Sequence, residues 1–304
     1  NHERELMQQR HAEYYTDWAE RAAPHLFGPN QAAWLNCMEL DADNLRAALS
    51  WWLDQAQLEM VARLVCALAE FWRRRGLFSE GRGWAEKILV LHTPSSLPLA
   101  LRAKTLQTAG SLAYRQGDWS SANLWLEESL ALFQSQEDFT GIARVLFDLG
   151  WIAIDQGEYP EAVRLNQASL EVARKADDRL GIYRALTNLG WTKLCTGEPA
   201  HAAAFFNEAH QLALQIQHTR GIAVSLINLA WIALEQGDLP HATALAKQSL
   251  KLCHLLRERE VLAECLELLV VAAAKEGAYE RAARMSGAAH ALWEALHITH
   301  SLAH

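Results

Sequence analysis

Residues 141–162 read GIARVLFDLGWIAIDQGEYPEA, residues 181–202 read GIYRALTNLGWTKLCTGEPAHA and residues 221–242 read GIAVSLINLAWIALEQGDLPHA. These are three copies of one pattern. Laid over one another without a gap, residues 141–180 and 221–260 agree at 16 of 40 positions. A fixed period of that length marks a stack of identical supersecondary units, each too small to bury its apolar face alone. Each copy reads as an apolar stripe at helical spacing, a tight turn around Gly157, Gly197 or Gly237, and a second stripe. Trp151, Trp191 and Trp231 recur at the same place in each copy.

The phase extends outward from this centre. Gly117-Asp118-Trp119 and Gly277-Ala278-Tyr279 lie one period to either side of the central turns, and Gly76-Leu77-Phe78 follows with a one-residue slip. The helix pairs predicted are 58–75 with 79–91, 98–116 with 119–135, 140–156 with 160–176, 180–196 with 199–216, 220–236 with 239–256, and 260–276 with 279–297. Small residues (Gly110, Gly150, Gly190 and Ala230, then Ala122, Ala162, Ala202 and Ala242) let the two helices of a pair approach closely. Leu130, Leu170 and Leu250 fill the seam to the next pair. Pro160 and Pro240 fall in the first turn of a second helix, where a missing N–H costs little. The rhythm breaks at residues 92–98, HTPSSLP, which read as a bend or longer loop. The first 56 residues lack the period. They read as a separate helical cap of three helices: Glu3 to Ala22, one after Asn30, and one from Asp43. The predicted fold is therefore all-α, a right-handed superhelical solenoid of about six hairpins over 57–297, preceded by the cap at 1–56 and followed by a frayed tail at 298–304.

Composition narrows the function. The 304 residues carry 28 Lys and Arg against 36 Asp and Glu, a formal charge of −8, which disfavours nucleic acid as a partner. Cys37, Cys66, Cys195, Cys253 and Cys265 are scattered and form no C-x-x-C pair, so they read as small buried hydrophobes in a reducing compartment. No apolar run reaches the roughly 18 residues of a membrane span. The charged start NHERELMQQR does not read as a signal peptide. The expectation is a cytoplasmic protein without membrane contact, and a piece of a longer chain, because it opens without Met and stops within a helical pattern. His297, His300 and His304 share a helical spacing, but no carboxylate or cysteine completes a metal shell around them. No nucleophile–base order or phosphate loop stands out, so no catalytic residue, metal or cofactor is expected.

The segment Leu149-Gly150 followed by Gly157, Tyr159 and Ala162, with its counterparts, resembles the tetratricopeptide repeat in a forty-residue form. A narrower resemblance rests on His11, Tyr14-Tyr15, Gly28-Pro29-Asn30-Gln31, Trp34-Leu35, Asp43-Asn44-Leu45-Arg46-Ala47-Ala48-Leu49, Phe71-Trp72, Arg75-Gly76, Glu80-Gly81-Arg82 and Trp84. These are similar to the region that follows the nucleotide-binding and winged-helix modules in bacterial signal-transduction ATPases of the STAND class, including LuxR-type and AfsR-like regulators. The tail from Glu280 to Ala289 also looks like the last repeat of such proteins. The resemblance implies a sensor that binds an inducer and releases an autoinhibited ATPase in transcription regulation. These residues contain no G-x-x-x-x-G-K-[ST] loop and no DNA-binding segment, so neither activity is carried over to them.

The same resemblance assigns a concave groove to the first helix of each pair. It is lined by Phe147, Trp151 and Ile154, by Trp191 and Leu194, and by Trp231 and Leu234, with Asn188 and Asn228 beside them and Arg144 and Arg184 at its edge. Arg73, Tyr114 and Arg115 extend it towards the N-terminus. Two readings of the tryptophans stand: ordinary core packed on the neighbouring helix, or an apolar patch that meets a partner. Asn188 and Asn228 are positioned to bond an extended peptide backbone. The partners expected are a peptide, protein or small-molecule inducer in the groove and the nucleotide-binding and winged-helix domains of a parent chain. The protein itself is expected to be mostly monomeric, with weak end-to-end association through exposed Leu292, Trp293 and Leu296. The alternative function is a constitutive scaffold that joins two proteins without switching.

Overall fold

The computed structural model describes residues 2–91 and 97–296, and these contain fifteen α-helices, one short 3-10 helix and no strand. The opening comprises α1 (His2–Ala22), the 3-10 turn Ala23–Phe27, α2 (Gln31–Leu40) and α3 (Ala42–Asp54). Then come the pairs α4 (Leu58–Arg75) with α5 (Phe78–Leu91), α6 (Leu99–Arg115) with α7 (Trp119–Ser135), and α8 (Phe139–Asp155) with α9 (Tyr159–Lys175). They are followed by α10 (Arg179–Cys195) with α11 (Pro199–Gln215), α12 (Thr219–Glu235) with α13 (Leu239–Leu256), and α14 (Arg259–Lys275) with α15 (Tyr279–Leu296). The six predicted hairpins match these elements to within about two residues at each end. Of the expected bend at residues 92–98, Pro98 stands at the N-cap of α6, while residues 92–96 lie outside the described residues, as do the histidines His297, His300 and His304 and the tail 298–304.

The chain divides into two compact units, residues 1–141 and residues 142–304. In the first unit one core joins the opening helices to the first hairpin: Ala12, Ala19, Leu45, Leu49 and Trp52 pack with Leu64, Leu68, Trp72, Ala85 and Ile88. Trp52 also donates its ring N–H to Thr16 at 3.0 Å. Asn30, expected to cap α2, stands at the N-cap position without a side-chain cap bond.

In the second unit the hairpin geometry follows from three features of the sequence. Gly157, Gly197, Gly237 and Gly277 close their turns at φ between +75° and +80°, a region that costs a residue with a Cβ but not glycine. The next amide then bonds back into the helix just ended, as Glu158 N–H does to Ala153 O at 2.8 Å. The turns between hairpins adopt the same left-handed step without glycine, at Asp177, Gln217 and Arg257. Finally, side chains of Asp178 and Asp238 accept a bond from the amide three residues on, so a three-residue turn both ends one helix and starts the next.

Close crossing within a hairpin depends on matched sizes. A Cβ added at Gly110, Gly150 or Gly190 would come within 3.0 Å of Leu126, Asn166 or Phe206 respectively, the residue sixteen positions on. In the α12–α13 hairpin the counterparts are Ala230 and Ala246, both fully buried, so the partner is small where the glycine is missing. The expected apolar end at Leu292, Trp293 and Leu296 is corrected. Trp293 and Leu296 are buried against Ala263, Leu292 is partly buried with them, and the Trp293 ring N–H donates to Glu267 at 2.8 Å. The residues that motivated end-to-end association are thus already covered.

Candidate binding face of the second unit

Helical spacing puts Arg144, Phe147, Trp151 and Asp155 on one face of α8, and the same positions of α10 and α12 repeat it. Direct contacts bring α8 and α10 together along this face. Asn188 donates to Phe147 O at 3.0 Å, and the Arg184 guanidinium carbon lies 5.9 Å from the centre of the Phe147 ring, a cation–π arrangement. Lower on the face, burial and then the Asp155 carboxylate push the Cys195 thiol up, so Cys195 stays protonated and inert at neutral pH. Between α10 and α12, Tyr183 donates to Gly221 O at 3.3 Å.

The tryptophans are neither fully core nor fully open. Trp151, Trp191 and Trp231 are all half-buried. Trp191 meets Phe206 of its own hairpin edge-on, with ring centres 5.9 Å apart, and Leu194 packs beside it. Trp231 packs on the core of α12, α13 and α14. Trp191 and Trp231 are therefore anchored on one side, and all three tryptophans keep part of their surface exposed.

Four of the residues assigned to this face by sequence lie beneath it. Ile154 and Leu234 are buried core residues, and Asn188 and Asn228 have 0% and 1% of their surface exposed. Asn188 uses its amide inside the fold, bonding Asn166 Oδ1 at 3.0 Å as well as Phe147 O. That corrects the expectation of an Asn188 contact with a ligand backbone: its partner is the preceding hairpin. Asn166 was missed, and the signal for it was its place opposite Gly150, where a larger side chain meets a glycine. The remaining members, Arg144, Phe147, Trp151, Arg184, Trp191, Leu194 and Trp231, are half-buried.

Charge along the face is graded. The row that begins Arg144 and Arg184 continues as Val224 and Glu264 in α12 and α14. Arg144 makes no ion pair among the described residues.

Arg73, Tyr114 and Arg115 belong to the first unit. Arg73 is clamped on Glu70 by two bonds of 2.7 and 3.0 Å, and Arg74 also reaches Glu70, at 2.5 Å. The Arg115 guanidinium sits 5.6 Å from the centre of the Tyr114 ring. Among the described residues there is no group of three or more His, Cys, Asp or Glu able to hold a metal, and no helix long and apolar enough to cross a membrane.

Comparison with known proteins agrees with this geometry. Tetratricopeptide repeat models match residues 141–215 and 222–256. No curated protein matches at the level of sequence. Among solved structures the fold is similar to a Rap protein complexed with competence and sporulation factor, with a TM-score of 0.62 and 14% identity, covering 94% of this chain and 99% of that one. It is similar to NprR in complex with its cognate peptide NprX (TM-score 0.63, 12% identity, 93% and 78% covered). It is also similar to a STAND protein with a tetratricopeptide repeat sensor from Pyrococcus horikoshii (TM-score 0.56, 12% identity, 86% and 48% covered). The chain is an all-α fold of helical hairpins that carries tetratricopeptide repeats at residues 141–215 and 222–256.

Proposed function

We propose that this chain is the sensor of a STAND-class signal-transduction ATPase, taking an inducer on the face of α8, α10 and α12 that bears Trp151, Trp191 and Trp231. The observation that carries the reading is the repetition of a half-buried tryptophan at one position of three successive first helices, with the Arg184–Phe147 stack beside it. Anchored aromatic rings with one open side supply contact area at low entropic cost. Fold likeness to a STAND protein with such a sensor, and to two proteins solved with a signalling peptide or factor, supports it. The inducer acts by its different affinity for two arrangements of the hairpins, since equal affinity shifts nothing. Replacing Trp191 by Ala is expected to weaken inducer binding at least tenfold while the helical circular dichroism is kept. Unchanged binding by that variant sinks the proposal, and stable capture of one protein regardless of inducer favours a constitutive scaffold instead.

A further inference from the structure

We infer that Cys253 on α13 and Cys265 on α14 form a peroxide-responsive thiol pair, which closes to a disulfide and ties the last hairpin to the one before it. The two thiols share an acceptor. Ser249 donates its hydroxyl proton to Ala223 O at 2.8 Å, so the serine oxygen is left to accept. Cys265 Sγ donates to that oxygen at 3.3 Å, and Cys253 Sγ lies 3.9 Å from it. Thiols from two helices therefore converge on one atom, and both cysteines are fully buried. The Cys253 thiol, and then burial, hold the Cys265 thiol above the ordinary thiol range.

Packing alone does not call for this pair. At the two preceding seams between hairpins the same positions hold Ala173 with Ala185 and Ala213 with Ser225, all buried. Small residues of other kinds fill the place. A tetrahedral ion needs four ligands, and among the described residues no three His, Cys, Asp or Glu side chains stand together to begin such a shell. Two neighbouring thiols need no further ligand to exchange their hydrogens for a sulfur–sulfur bond.

In the closed fold the pair is inert, because the thiolate is the nucleophile and burial excludes the oxidant. Reaction follows opening of the seam between α13 and α14. One thiolate attacks a peroxide oxygen, the S–O bond forms, the O–O bond breaks, and hydroxide leaves to become water, giving a sulfenic acid. The second sulfur attacks the sulfenic sulfur, the S–S bond forms, the S–O bond breaks, and a further water leaves. Two thiols and one hydrogen peroxide thus give one disulfide and two waters. The bond spans the turn that carries Glu258, which Arg220 already holds at 3.2 Å, so a covalent and an ionic tie then secure the same joint.

The test treats the whole chain with hydrogen peroxide, alkylates the remaining thiols and reads a trypsin digest by mass spectrometry. Trypsin cuts after Arg257 and Arg259, so the disulfide is expected to join peptide 252–257 to peptide 260–275. Cys37, the exposed thiol, should be absent from that product, and dithiothreitol should release the two peptides. Hydrogen exchange of the α14 amides should slow at least tenfold in the oxidised chain. In Cys265→Ser the same peroxide treatment should leave that exchange unchanged. Recovery of Cys253 and Cys265 as thiols after peroxide has consumed Cys37 overturns the inference, and so does sulfinic acid without the joined peptides. Joined peptides with unchanged exchange in α14 would show a bond that ties nothing, which overturns it as well.

Discussion

Ser169 on α9 donates its hydroxyl to the carbonyl of Ala143 on α8 at 2.8 Å, and the bond recurs one and two periods away. Ser129 reaches Ala103 O at 2.7 Å and Ser249 reaches Ala223 O at 2.8 Å. In the α10–α11 hairpin the donor position is Ala209, and the corresponding carbonyl, that of Tyr183, is met by Thr187 from its own helix at 2.9 Å. Every one of these four carbonyls thus accepts a hydroxyl, by one route or the other. Ser169→Ala should cost about 1 kcal/mol in urea unfolding. Ala209→Ser should gain nothing in the native chain, because its acceptor is engaged. In the background of Thr187→Val it should recover most of the loss. Additive effects of the two changes would show that the Tyr183 carbonyl is not the shared acceptor.

The turns between hairpins hold a stabilising change in reserve. Asp177 and Gln217 sit at φ of +52°. A left-handed backbone costs an ordinary residue about 1–2 kcal/mol, less for Asp, and glycine nothing. Gln217→Gly should therefore raise stability by about 0.5–1 kcal/mol after the greater freedom of the unfolded chain is set against it, and Asp177→Gly by less. Gly157→Ala, at φ +75° with open space around it, should lower stability by backbone strain alone. Thermal melts of the three variants decide the order.

These turns also show how far the sequence could be read. Gly157, Gly197 and Gly237 announce their turns because only one residue type sits easily there, and the recurrence of Trp, Ala and Leu at one period locates every hairpin. Burial of Asn188 was not legible, because it depends on the backbone of α8 arriving within hydrogen-bond reach from forty-one residues away. Nor was the cover over Trp293, which requires the side chain of Glu267 and the approach of Ala263 on the neighbouring helix. Periodicity states which face a residue occupies; depth beneath that face is set by the next hairpin.

A buried ion group ties α12 to the turn that follows α13. Arg220 meets Glu258 at 3.2 Å and Glu260 at 3.3 Å, with its own side chain 14% exposed and that of Glu258 5%. Removing the guanidinium leaves the Glu258 carboxylate in a poorly hydrated place, so Arg220→Ala should cost about 3–5 kcal/mol, and added salt should change that little. A loss under about 1 kcal/mol would show that water reaches the group and that it behaves as a surface pair.

His210 on α11 lies 2.7 Å from Ser225 on α12, and the Ser225 hydroxyl itself donates to Ile222 O at 3.0 Å. The serine oxygen is then an acceptor, so Nδ1 of His210 carries the proton and donates. Burial pushes the imidazole pKa below its ordinary value, which keeps the ring neutral in the fold. The unfolded chain consequently binds more protons than the folded one as pH falls through and below about 6.5. Stability from this group is full above that pH and declines below it. His210→Gln should flatten the slope of unfolding free energy between about pH 7 and pH 5, measured by urea titration at each pH.

The inverse sizes of residues sixteen apart make the last prediction, and a coupling energy tests it better than any single variant. Gly190 leaves no room for a Cβ against the Phe206 ring, which is fully buried and holds Trp191 edge-on. Gly190→Ala alone should lower stability by about 1–3 kcal/mol, despite the better helix propensity of alanine, because the ring has nowhere to move. Phe206→Ala alone should cost about 3–5 kcal/mol through the cavity it leaves. In the double variant the added methyl no longer meets the ring, and alanine regains its propensity advantage, so the pair should be less destabilised than the sum by at least about 1 kcal/mol. The double variant then reproduces the Ala230–Ala246 pairing that the α12–α13 hairpin already uses. Simple additivity would mean that the hairpin absorbs the methyl by separating its helices, and the size matching would then be incidental to the close crossing.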